Sequence, residues 1–262
     1  MCLYSCSGES AATMETDVFK MDDYNDIKGL LEPYPPLYAK DFPLILFWVP
    51  KSGSTTLHRW FLFQNGSPED VCLMSDEEVH HYRNTMYTEK PGYTKELAEH
   101  LLKQKKDAYK LVRNPFRRAV SLFLTAVSAG DIRDGMSFKQ FLYRLQKAGA
   151  FDRHLAPQYI NGEEEVVEHY IYLEDFKAHI REIENKYRLI KAPLSKLSKS
   201  PHHFSNFMVK KEKSADAAVT KTTFDWVIPT YESFYDKEAT QLVADIFKKD
   251  FEVYGFDPNH VT

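Results

Sequence analysis

The sequence predicts an α/β fold, a single domain in which a central parallel sheet is flanked by helices. Three strand-to-helix junctions carry that prediction. Leu44-Ile45-Leu46-Phe47-Trp48-Val49 is an apolar run with no helical period, followed by a small-residue loop and then by Leu57, Trp60 and Phe61 at helical spacing. Ala108-Tyr109-Lys110-Leu111-Val112 runs into Asn114-Pro115, and the stretch Val166 to Leu173 runs into a helical pattern from Glu174 to about Arg188. Short apolar runs of this kind suit strands covered on both faces, and strands alternating with helices build parallel sheets.

Composition is that of an ordinary globular protein. The 262 residues are 43% hydrophobic and 27% charged, enough to bury one good-sized core. A formal net charge of -4 gives no overall attraction to nucleic acid or to acidic membranes. No apolar run reaches membrane-spanning length, and Met1-Cys2-Leu3-Tyr4-Ser5-Cys6 lacks the plan of a signal peptide, so the expected compartment is the cytoplasm. Cys2, Cys6 and Cys72 are too few and too scattered for a disulfide framework.

Residues 1–25 mix small, polar and acidic types without a period and read as a mobile leader ahead of a domain over 26–262. Prolines extend Glu32 to Tyr38 and lay its tyrosines on the surface. The first strand follows, then a helix ending by Asn65-Gly66. Asp76 to Arg83 fits either a helix start or an irregular segment. Thr94 to Lys106 reads as a polar-faced helix whose Lys103, Lys105 and Lys106 form a solvated end. After the second strand, Asn114 caps and Pro115 opens a helix that buries Phe116, Ala119, Val120, Phe123, Leu124 and Val127, with Arg118 and Ser121 beside that stripe. Ser137 opens a further helix to Gln146. Residues 191–223 read as an irregular excursion over the site whose lysines, Lys210, Lys211, Lys213 and Lys221, are a solvated charge run. A helix from about Asp236 to Tyr254 stops at Gly255.

The loop Pro50-Lys51-Ser52-Gly53-Ser54-Thr55-Thr56 is an anion cradle. Loop and first-turn N–H groups lack partners inside the helix and point at whatever sits before it. Gly53 permits close approach, Lys51 adds charge, and Ser52, Ser54, Thr55 and Thr56 add hydroxyls. The lysine precedes a single glycine, so this is not the nucleotide-triphosphatase loop. At the second junction Arg113 stands at the strand mouth with Ser121 on the following helix, a guanidinium and a hydroxyl suited to a phosphate monoester.

The two stretches together resemble the sulfotransferase family. Pro50-Lys51-x-Gly53-Ser54-Thr55-x-Leu57 is similar to its 5′-phosphosulfate loop, and Arg113-Asn114-Pro115-x-x-Arg118-x-x-Ser121 to its 3′-phosphate motif, with Asn114 where Asp is common. Asp152-x-His154-x-x-Pro157-Gln158 before Leu173-Glu174-Asp175-Phe176 resembles the carbohydrate-type subgroup and its soluble relatives. The resemblance implies a P-loop-like sulfotransferase fold. It implies 3′-phosphoadenosine 5′-phosphosulfate as donor, with no metal required, and a small hydroxyl or amine acceptor such as a natural product, an alkaloid or a sugar. Lys51 and the cradle would hold the leaving phosphate, and Arg113 and Ser121 the 3′-phosphate. The base comes from a histidine or glutamate between the motifs: His80 and His81 first, then Glu77, Glu78 and His100, while His154 is a substrate-side candidate. The alternatives are a nucleotide kinase, which would bring magnesium, and an inactive nucleotide-binding scaffold.

Overall fold

A computed structural model describes residues 24–66, 71–103, 106–149, 153–198, 204–222 and 228–261. Apart from Tyr24 and Asn25, the expected leader lies outside these residues, as do Lys105 and Asp152.

Three parallel strands, β1 (Leu44–Phe47), β2 (Asp107–Val112) and β3 (His169–Tyr172), form a sheet in the order β1-β2-β3. The register pairs Leu44 with Asp107 and Tyr109 with His169. Alternation along β1 sends Leu44 and Leu46 to one face and Ile45 and Phe47 to the other, and all four are buried. The first face is covered by helices α2 (Ser54–Gln64) and α7 (Phe176–Lys186), pinned together where Trp60 Nε1 donates to Glu184 at 3.0 Å. The second is covered by α1 (Tyr24–Leu31) and α4 (Tyr93–Leu102). Helix α3 (Asp76–Arg83) runs into a π-helical turn, Asn84–Thr88.

A separate core gathers α5 (Pro115–Ala129), α6 (Phe138–Ala148), the short 3-10 turn Tyr231–Phe234, α9 (Lys237–Ile246) and α10 (Lys248–Tyr254) around Phe116, Phe123, Phe138, Phe234 and Phe251. The predicted caps are in place: Asn114 accepts from Phe116 N at 2.9 Å and Ser137 forms a capping box with Gln140. Asp236 caps the last helix in the same way, accepting from Ala239 N at 2.8 Å.

Several expectations are corrected. Residues 24–31 are helical because Ile27, Leu30 and Leu31 share a buried face. Tyr38 is buried against Tyr93 rather than lying on the surface. Of the two readings open for Asp76–Arg83, the helix is the one observed, closed at its start by a capping box of Ser75 and Glu78. Lys106 is not a solvated end: its ammonium donates to the carbonyls of Ala39, Lys40 and Phe42. The span 191–223 contains helix α8 (Leu194–Leu197) and strand β4 (Met208–Lys210), paired in parallel with β5 (Ile228–Pro229). The last helix breaks at Phe247 into α9 and α10.

Candidate active site

The loops that leave the C-terminal ends of the three sheet strands meet over one cavity of about 940 Å³. This is where helix starts and strand ends of an open parallel sheet converge. Its walls are completed by α3, by α8 and by Tyr231.

The loop after β1 is a tight turn. Val49 O accepts from Ser52 N at 3.4 Å and from Ser52 Oγ at 2.7 Å, which leaves Ser52 fully buried and outside the cavity. The turn places Lys51 at φ 65° and Gly53 at φ 91°. A side chain at position 53 would take up a backbone conformation that L-residues avoid and would collide with Leu173. Thr56 and Leu57 donate to Gly53 O, whereas the N–H groups of Gly53, Ser54 and Thr55 have no acceptor among the described residues. Lys51, Ser54, Thr55 and Thr56 line the cavity. Burial, with Arg113 beside it, pulls the Lys51 ammonium below its usual range.

The second junction is tied to the first. Arg113 donates from Nη1 to Lys51 O at 3.0 Å and from Nη2 to Tyr231 Oη at 2.8 Å. Its backbone is gripped by the buried Gln158 carboxamide, which accepts from Arg113 N at 2.9 Å and donates to Arg113 O at 2.8 Å. Gln158 is fixed in turn by Asp250, which accepts from Gln158 N at 2.9 Å, and Glu174 accepts from Asn114 N at 3.1 Å.

Arg113, Arg117 and Ser121 lie four residues apart and all face the cavity. Arg117 lies 5.5 Å from the Tyr231 ring centroid and Arg113 5.6 Å. The Arg117 side chain has no hydrogen-bond or ion-pair partner among the described residues, and its Nε is buried without one. Arg118 does not sit beside the buried stripe. It is 1% exposed and donates to the carbonyls of Pro50 at 3.2 Å and Ala156 at 2.8 Å, bracing the first loop from below.

On α3, His80 faces the cavity with Nε2 3.5 Å from Thr55 Oγ1. Burial, reinforced by the charge of Arg83, pushes its imidazole down to about 4. The His58 ring packs 5.3 Å from it, fully buried and held well below the usual histidine range by burial and then by Arg83.

The profile described as the sulfotransferase family matches residues 36–257. The chain belongs to that family. No curated protein and no solved structure gives a match. As a sulfotransferase it is a transferase, its reaction class is sulfuryl transfer, and its mixed helices and small parallel sheet are the family's fold.

The cavity brings together Lys51, Gly53, Ser54, Thr55, Thr56, His80, Arg113 and Ser121. His81, one residue along the helix from His80, is exposed and outside the cavity. Glu77 reaches the wall as an exposed side chain. Glu78 is occupied by Ser75, whose hydrogen bonds hold its carboxyl below the usual range, and the buried His100 packs 4.9 Å from the Tyr38 ring, outside the cavity. His154 stands exposed at the rim. Sequence reasoning missed Arg83, Arg117 and Tyr231. The spacing of four from Arg113 and from Ser121 is a signal that would have found Arg117; Tyr231, over a hundred residues from the motif it serves, had none.

The metal-type cluster Asp107, Glu168 and His169 lies at the opposite, N-terminal ends of β2 and β3, where Lys186 is 3.1 Å from Asp107. No helix among the described residues is long and apolar enough to cross a membrane.

Proposed function

We propose that the protein transfers the sulfuryl group of 3′-phosphoadenosine 5′-phosphosulfate to a hydroxyl or amine of a small acceptor. The observation that carries this reading is a pair of anion-binding strand ends facing one cavity and joined by the bond from Arg113 to Lys51 O. One end offers free N–H groups and a lysine, suited to a diphosphate-like group. The other offers a row of two guanidiniums and a hydroxyl, suited to a phosphate monoester.

Each residue then has a defined task. Lys51 and the N–H groups of Gly53, Ser54 and Thr55 bind the 5′-phosphosulfate and neutralise charge on the departing phosphate oxygen. Arg113, Arg117 and Ser121 hold the 3′-phosphate, and Tyr231 backs both arginines. The acceptor oxygen or nitrogen forms its bond to sulfur as the bond from sulfur to the phosphate oxygen breaks, in line, and the electron pair leaves with the phosphate. His80 Nε2 receives the acceptor proton, and Thr55 Oγ1 orients the ring. His80 is the base in preference to His81 because it faces the cavity. The scheme asks for no metal.

Calorimetric titration with adenosine 3′,5′-bisphosphate, beside ATP with magnesium, tests the reading. Wild type binds the bisphosphate, and Arg113→Ala and Arg117→Gln each weaken it by tenfold or more while 5′-AMP binding changes little. Binding of ATP with magnesium in preference to the bisphosphate would overturn it. Bisphosphate binding without transfer to any acceptor would favour a scaffold.

A further inference from the structure

Arg83 ends α3 one helical turn beyond His80 and lines the same cavity. It is 9% exposed, and the contacts that hold it are with neutral groups. Nε and Nη2 donate to Asn84 Oδ1, Nη1 stands 3.3 Å from His58 Nε2, and the guanidinium lies 4.9 Å from the Trp48 ring centroid. Among the described residues no carboxylate forms an ion pair with it. Asp76 of the same helix is held by Arg59 at 2.9 Å, and Glu77 is exposed without a pair to Arg83. Glu89 acts on it electrostatically but makes no bonded contact with it, and a guanidinium withdrawn from water without a paired carboxylate is unfavourable. An anion arriving with a ligand would relieve it.

The donor is not the natural source of that anion. In the reading above its anionic groups fall to residues 51–55 and to the row Arg113, Arg117 and Ser121, and His80 stands between that end of the cavity and Arg83. Beside Arg83 the wall is aromatic: the guanidinium lies against Trp48, whose ring is 5.5 Å from that of Tyr34. We infer that Arg83 binds a carboxylate carried by the acceptor, so that the substrate is a hydroxyl- or amine-bearing acid with its nucleophile at His80 and its acidic end at Arg83. The inference rests on the sulfuryl-transfer reading for the direction in which the acceptor lies, and the planar fork of arginine matches a carboxylate.

The test titrates 4-hydroxyphenylacetate and 4-hydroxyphenylacetamide into the full-length protein, with and without saturating adenosine 3′,5′-bisphosphate. The phenol matches the aromatic wall, and the two probes differ in charge at nearly constant shape. The expected result is that the acid binds at least tenfold more tightly than the amide. Arg83→Gln brings the two within about twofold while bisphosphate affinity stays unchanged, and Arg83→Lys, which keeps the charge without the fork, retains an intermediate preference. If Arg83→Gln does not fold, a loss of at least threefold in the preference in Arg83→Lys serves in its place. Equal binding of acid and amide, no binding of either, or a preference of wild-type size in Arg83→Gln and Arg83→Lys would overturn the inference. Acid preference at Arg83 in a protein that fails to bind the bisphosphate would support the anion site while removing the donor assignment, so the two failures are distinguishable.

Discussion

His80 is held neutral by burial and by a neighbouring cation, and this sets two pH dependences. Acting as the proton acceptor proposed above, it is competent wherever it is unprotonated, so the acid limb of transfer is expected near 4 in the free enzyme, with activity falling as pH drops through it. His80→Gln is expected to lower kcat by about a hundredfold or more, the usual worth of a positioned base, with bisphosphate affinity unchanged. The stability effect has the same sign. The unfolded chain, with histidine near 6.5, binds the proton that the folded chain refuses down to about 4, so the contribution is complete above 6.5 and is lost as pH falls through that window. His58 acts in the same direction. Urea denaturation at pH 7 and pH 5 should show a smaller loss in His80→Gln than in wild type. At this scale Lys51, Arg113 and Ser121 were legible because oxyanion chemistry demands such groups at strand ends. His80 and His81 were inseparable in sequence, since only the phase of α3 decides which faces inward. Arg118 was misplaced because its carbonyl partners at Pro50 and Ala156 are distant in sequence.

Helix starts carry the functional geometry, and α5 most of all. Asn114 accepts from Phe116 N and Arg117 N, fixing the turn from which Arg113 and Arg117 reach the cavity. Asn114→Ala should cost about 0.5–2 kcal/mol by chemical denaturation and weaken bisphosphate binding, with no direct contact to the ligand. In the first loop Gly53→Ala meets both an unfavourable φ and Leu173, so transfer should be lost more completely than stability. Activity comparable to wild type in that variant would remove the loop from the donor site. The caps and the three strand-to-helix junctions were readable because each is decided within a few residues. Helix α1 was missed although Ile27, Leu30 and Leu31 have helical spacing, since eight residues containing Gly29 are a weak local signal and the packing on α4 is what stabilises them.

Over the whole molecule, charge is distributed against the average. The chain carries a net charge of -4, yet in one cavity Lys51, Arg83, Arg113, Arg117 and Lys177 outnumber Asp76, Glu77 and Glu174. Association of the bisphosphate should therefore slow steeply as salt is raised, which stopped-flow measurement would show. Below the site, Lys110 and Glu163 form a buried ion pair, and Tyr254 donates to the same carboxylate at 2.8 Å. Glu163→Gln leaves the ammonium without its partner and should cost about 3–5 kcal/mol. The cavity is bounded by two hydrophobic cores: the cradle grows from the sheet core, whereas Tyr231 packs on the helical core of α5, α6 and α9. A nucleotide lodged there spans both, like a splint across a joint. Hydrogen exchange on the free protein should resolve two blocks that open independently, and saturation with the bisphosphate should fuse them into one.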